Sequence, residues 1–286
     1  RTLATNGFAL DLVVATHVDA DHVSGLLPFF RENGDASNPK VIPVRRVFHN
    51  SLRSIAPTVS KPAPASADDD ALLQEIERRG FPPTGGEGQT NHEIRARQGS
   101  SLAKLLRQAG YLWNQQDGKQ SINGDGLPSF ALGPKTKVTV IGPPLARLER
   151  LRKWWISEIR RLGYTGALDA NDRLDDAFEY LCADAAAESV AASGEISLSV
   201  SDELKDCYLP DDSVTNGSSI SLIVESDTSR ALLLGDSWAE DTEIALRQLK
   251  PKDGPIMFDA IKVSHHGSLR NTSPSLLDLV DAPVFF

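Results

Sequence analysis

The chain has 286 residues, 40% of them apolar, which puts it at the upper edge of a single domain with ample material for a sizeable core. No apolar run approaches the ~20 residues of a membrane span, the first residues carry no basic-then-apolar signal pattern, and two cysteines, Cys182 and Cys207, cannot build a disulfide framework. The expectation is a globular cytoplasmic protein with reduced thiols and no membrane partner. Its formal charge of −9 is uneven: from Tyr164 to Ser213, 13 acidic residues outnumber Arg173 and Lys205 by 11, which leaves the rest of the chain near +2.

In chain order, Leu10 to Ala15 reads as a buried strand, and it runs straight into Thr16-His17-Val18-Asp19-Ala20-Asp21-His22. Two imidazoles and two carboxylates in six consecutive positions are the outline of a metal site, because nitrogen and oxygen donors hold zinc, manganese or iron while leaving a position open for water. The plainer reading is a polar loop that caps a helix at Ser24. Pro28 to Asn50 reads as helix, loop and the strand Arg45 to Phe48, with His49 as a loop histidine rather than a ligand. Residues 56 to 67 are small and proline-dotted, a linker pattern, and a helix follows from Asp68 to Arg79. The loop Gly85 to Gly88 lacks the Lys and Ser/Thr of a phosphate-binding loop and reads as a turn.

Ser100 or Ser101 caps a helix through Ala109, and Lys137 to Pro144 reads as strand then turn. Pro144 to Leu162 is amphipathic: Leu145, Leu148, Leu151, Trp155, Ile159 and Leu162 recur on one face. Its basic residues, Arg147, Arg150, Arg152, Lys153, Arg160 and Arg161, read by default as a solvated face and otherwise as a phosphate-facing stripe centred on Arg150, Arg152 and Lys153. An acidic insert follows, helical over Leu174 to Val190. The pattern then resumes with strand Ile220 to Glu225, an apolar run ending at Asp236, helix Asp241 to Leu249, and strand Phe258 to Val263 before His265 and His266.

His-x-Asp-x-Asp-His after a strand resembles the first metal motif of the metallo-β-lactamase fold, and more closely that of its ComEC-like subgroup, in which Asp stands where the wider superfamily has His. Leu232-Leu233-Leu234-Gly235-Asp236 resembles the strand that ends in the metal-bridging Asp, and Lys262 to Ser268 with Asn271-Thr272-Ser273 resembles the subgroup's second histidine motif. The superfamily places another His before the bridging strand; here that slot holds Asn216, a weaker, uncharged ligand.

The resemblance implies an α/β metallo-β-lactamase αββα sandwich, a single domain with insertions at about 51–130 and 164–213. The abrupt start at Arg1 and the strand-like Val284-Phe285-Phe286 suggest a fold incomplete at both termini, with a missing N-terminal segment or protein partner. His17, Asp19, Asn216 and Asp236 would face one metal; Asp21, His22, Asp236 and either His265 or His266 would face the other. One or two divalent ions, zinc or manganese, follow from that set. Implied too is a hydrolase, foremost a phosphodiesterase or nuclease acting on DNA or RNA, with Asp21 or Asp236 orienting the nucleophile and Ser268 facing substrate. Hydrolysis of a small ester, lactone or amide and a metal-binding regulatory scaffold are the alternatives.

Overall fold

A computed structural model describes residues 7–56, 66–79, 101–168, 171–192, 208–249 and 254–286, with the side chains of the helix at 172–192 described through Asp184. The linker after Ala56, the loop Gly85 to Gly88 and Cys207 lie outside the described residues. The architecture is mixed α/β with a mixed sheet and several helices. Two compact units form: residues 1–122 with 148–186, and residues 123–147 with 187–286.

The first unit is built on short parallel pieces of sheet. Strand β1 (Val13–Val14) pairs with β2 (Val47–Phe48), and a bridge from Leu10 to Val44 extends the same register outward. The expected strand Leu10 to Ala15 is therefore present as hydrogen-bonded extended chain, but it is regular over two residues only and is interrupted at Asp11, whose carboxylate pairs with Arg45 at 2.7 Å. Trp113 bridges Val47 from the other side, fully buried, and donates its indole N–H to His49 O at 2.7 Å. Gly118 is needed beside it, because its φ is +79° and a Cβ there would lie 2.4 Å from the Trp113 ring.

Short helices α1 (Ala20–Val23) and α2 (Leu26–Asn33) follow β1, so helix begins at Ala20 and not at Ser24. Gly34 at φ 71° ends α2. Two small helices, α3 (Leu52–Ile55) and α4 (Ala67–Arg79), precede α5 (Leu102–Gln108), where Ser101 accepts the Lys104 N–H as its N-cap. Helix α6 (Leu145–Arg161) buries Leu148, Leu151, Trp155 and Ile159, one face at helical spacing.

Within the acidic stretch, the described helix is packed rather than solvated. Helix α7 (Asp172–Ala192) places Leu174, Ala177, Phe178, Cys182 and Ala183 in the core of the first unit, with Phe178 edge-on to Trp155. Asp175, Asp176 and Glu179 are buried, and the acids of its first two turns meet partners. Asp175 binds Arg53, Asp176 binds Lys104 at 2.9 Å, Asp172 binds Arg107, and Glu179 sits 2.8 Å from His49 Nε2 while accepting the N–H groups of Leu102 and Ala103. His49 is thus a structural partner of a helix distant in sequence.

The second unit holds a five-stranded mixed sheet in the order β3 (Ser129–Ala131), β4 (Thr136–Gly142), β5 (Ser221–Ser226), β6 (Arg230–Leu233), β8 (Ala260–Lys262). The first three pairings are antiparallel and β6–β8 is parallel. Val284 to Phe286 runs beside β8 as an edge, with Val263 N–H donating to Phe286 O. A small parallel pair, β7 (Ile256–Met257) with β9 (Val280–Asp281), lies apart from that sheet. Helix α8 (Ala239–Leu249) and the short α9 (Pro274–Leu277) contribute Ala245, Leu246 and Leu276 to a core with Ile223, Leu232 and Ile261.

Candidate metal centre

In both units the chemistry-bearing residues follow the carboxyl ends of parallel strands, the edge where α/β sheets place their ligands. In the first unit β1 leads into Thr16 to His22 and β2 into His49. The chain stays extended to Asp19 (φ −66°, ψ 148°), whose carbonyl accepts the N–H groups of His22 and Val23 to start α1. That single turn brings His22 back over His17, with ring centroids 4.1 Å apart.

Thr16 stands behind both rings. Its hydroxyl is 3.1 Å from His17 Nδ1 and 3.0 Å from His22 Nδ1. A hydroxyl has one proton, so Thr16 can donate to only one ring, and at least one imidazole must donate its own Nδ1–H and keep its lone pair on Nε2. On the far side each ring meets a different carboxylate: His17 Nε2 lies 3.3 Å from Asp19 Oδ2, and His22 Nε2 lies 3.5 Å from Asp21 Oδ2. Two donors ~2.1 Å from one tetrahedral ion are about 3.4 Å apart, so each pair already has the separation of two ligands on a common ion. The pairs differ in exposure. His17 and Asp19 are buried, whereas the Asp21 carboxylate is 60% exposed. Cys182 adds nothing to this donor set, since burial, and after it the charges of Asp19 and Glu179, push its thiol well up and keep it neutral.

In the second unit β6 leads through Gly235 to Asp236 and β8 to His265 and His266. The Asp236 N–H donates to Ser219 Oγ at 3.1 Å, and the His265 N–H to Gly235 O at 3.0 Å. Both histidines have positive φ, 46° and 53°, a left-handed turn that non-glycine residues adopt reluctantly and that is found where function holds it. His265 Nε2 is 4.0 Å from Asp236 Oδ2, while the side chain of His266 is exposed. Ser268 closes the turn, its N–H donating to His265 O and its hydroxyl accepting the Arg270 N–H.

Asn216 sits here with its amide nitrogen donating to Asp211 Oδ2 at 2.8 Å, so only its oxygen can serve an ion. Asp211 and Asn271, both buried, complete the group, and neither is marked as a site residue by sequence. The adjacent Asn271-Thr272-Ser273 belongs to a recognisable motif, whereas nothing local marks Asp211.

Among the described residues, then, are His and Asp groups that can hold a metal ion, with His17, Asp21, His22, Asp236 and His266 among their members. The basic face of α6 is partly committed within the protein: Arg147 pairs with Asp241 and lies over Trp238, Arg160 binds the carbonyls of Tyr164 and Gly166, and Arg161 pairs with Glu158. Arg150 and Lys153 are exposed and Arg152 is half-buried. No helix among the described residues is long and apolar enough to cross a membrane. No protein-family model matches the chain, and no curated protein matches it.

Proposed function

We propose that the chain is a metal-dependent hydrolase of the metallo-β-lactamase type, ComEC-like in its motifs, that cleaves phosphodiesters of DNA or RNA. One observation carries the metal reading: two His–carboxylate pairs, at 3.3 and 3.5 Å, already spaced as ligands and backed by one shared hydroxyl. In this reading His17 and Asp19 hold one divalent ion and Asp21 and His22 a second, and Asp236 with a histidine of the 265–266 pair are the candidate ligands that the second unit offers. Such ions, zinc or manganese, would supply an acidified water and neutralise charge on phosphate oxygens. Asp21 or Asp236 would orient the nucleophile, and the exposure of the Asp21 side chain favours Asp21 for passing a proton to solvent.

The phosphodiester preference rests on the oxygen-rich donor set and on Arg150, Arg152 and Lys153, which the packing of α6 leaves at the surface to meet a nucleic-acid backbone. A buried Cys182 thiol suits a reducing compartment such as the cytoplasm. The test is chelation of the purified chain, then return of manganese or zinc, with a nitrophenyl phosphodiester, single-stranded DNA, RNA and a nitrophenyl ester as substrates. Metal-restored cleavage of the phosphodiesters, abolished by His22→Ala, is expected. Turnover of the ester alone would make the chain a small-molecule hydrolase, and metal binding with no turnover would make it a scaffold.

A further inference from the structure

The structure points to Asp211 and Asn271 as a positioning pair that locks His265 into the tautomer with its lone pair on Nε2, and so presents that nitrogen to a metal ion. This rests on the metal-binding reading above and is indifferent to the substrate.

Asn271 is fully buried, and three acceptors surround its amide nitrogen: Asp211 Oδ2 at 2.9 Å, Asp236 O at 3.2 Å and Ser237 O at 3.3 Å. An NH2 group satisfies that environment and an amide oxygen would be repelled by it, so the orientation of Asn271 follows from its neighbours. Its Oδ1 is thereby turned to His265 Nδ1, 2.9 Å away. An oxygen acceptor at that distance requires Nδ1 to carry a proton, and in the neutral ring this leaves the lone pair on Nε2, the nitrogen nearest Asp236.

A competing arrangement exists on the same ring. Asn216 Nδ2 lies 3.4 Å from Nδ1 and could donate to it only if the proton moved to Nε2, where it would block coordination. The 2.9 Å contact outweighs the 3.4 Å one because hydrogen bonds weaken with length. Asp211 reinforces the choice, since its Oδ2 also accepts from Asn216 at 2.8 Å and gives that amide a nearer partner. Asp211 is held in turn by the Ser213 N–H on Oδ1. A carboxylate acting through an amide on an imidazole is a relay of the kind that orients metal-bound histidines. His266, exposed and on the following left-handed residue, keeps its own place among the candidate ligands.

The direct measurement is the ring-nitrogen chemical shifts of His265 in the metal-free, full-length protein, from long-range proton–nitrogen correlation assigned with His265→Gln. A protonated Nδ1 and a lone pair on Nε2 are expected; a protonated Nε2 overturns the proposal with no variant needed. Zinc affinity, read by competition with a chromogenic chelator, should fall by about ten- to a hundred-fold in Asn271→Ala, the usual loss when such a partner is removed. The single variant Asn271→Asp should also bind weakly, because it sets two carboxylates side by side. Unchanged affinity in Asn271→Ala with the fold intact by circular dichroism overturns the proposal alone, whereas a wild-type chain that binds no zinc overturns the metal reading with it.

Discussion

Thr16 is the residue on which the first unit's ligands depend, yet it is itself no ligand in the proposed scheme. Its hydroxyl touches both Nδ1 atoms, so Thr16→Val, nearly the same in shape, removes the orienting partner of two ligands at once. Metal affinity should drop by about ten-fold or more, with the thermal midpoint of the apo protein almost unmoved, by chelator competition and differential scanning calorimetry. An equal loss of both quantities would mark Thr16 as structural. The ligand residues themselves can be read from sequence because they are consecutive and chemically distinctive. Asp211 and the His49–Glu179 pair cannot, since those contacts join residues 60 and 130 positions apart and leave no periodic trace, while Asn271 falls in a recognisable motif that does not disclose its contacts. Asn216 shows the limit from the other side: sequence identifies the position, but only the structure shows its nitrogen turned to Asp211.

At the scale of elements, periodicity serves the long helices well. The buried face of α6 from Leu148 to Ile159 and the cap of α5 are where spacing and a serine place them, because those signals are local, although Leu145 at the start of that face is exposed. Short strands such as β1, β2 and β8 are set by their partners across the ladder, so the apolar runs that announce them overstate their regular length. That helix α7 packs into a core is hidden from the sequence for a comparable reason. A count of acids says nothing about the Arg53, Lys104 and Arg107 side chains that meet them, and without those partners an acidic helix reads as solvated.

The burial of α7 has a measurable pH signature. Desolvation pushes Asp175 up to about 6, against the opposing pull of Arg53, and pushes Asp176 up as well. With a folded value above the unfolded 3.8, Asp175 binds its proton more tightly in the folded state. Its contribution to stability is full below about pH 4 and is lost as pH rises through about 6, a swing of order 3 kcal/mol at 1.36 kcal/mol per unit. Urea unfolding of Asp175→Asn from about pH 4 to about pH 7 should therefore show a shallower decline than wild type; an unchanged slope would place the titration elsewhere. Arg53→Met should destabilise by about 3–5 kcal/mol, while Arg53→Met with Asp175→Leu should cost much less, because removing one partner strands a buried charge and removing both does not. Phe178→Ala should lower stability by about 3–5 kcal/mol, since α7 is core and its truncation leaves a cavity.

For the molecule as a whole, a charge of −9 argues against a polyanionic partner only if the acids project their field outward. On α7 three of them do not: Asp172, Asp175 and Asp176 are engaged by Arg53, Lys104 and Arg107, and Arg173 binds Asp70 and Glu77 in return, whereas Asp184 is exposed. Paired charges a few ångströms apart cancel at the distance of an approaching strand, the more so with a Debye length of about 8 Å at physiological salt. In the proposed reading the charge that meets a phosphate backbone is that of Arg150, Arg152 and Lys153, and its signature is the dependence of binding on salt. Every phosphate that a basic side chain no longer neutralises lowers the log–log slope by about 0.7 for a single strand and about 0.9 for a duplex, so replacing the three residues by Ala should flatten it by roughly 2–3. Fluorescence anisotropy with a labelled oligonucleotide between low and physiological salt measures this, in metal-free buffer so that cleavage does not intervene. The wild-type and variant curves should diverge at low salt and converge as salt rises. Parallel curves would mean that the basic face of α6 is a solvated surface, and the nucleic-acid reading would then have to stand on the metal ligands alone.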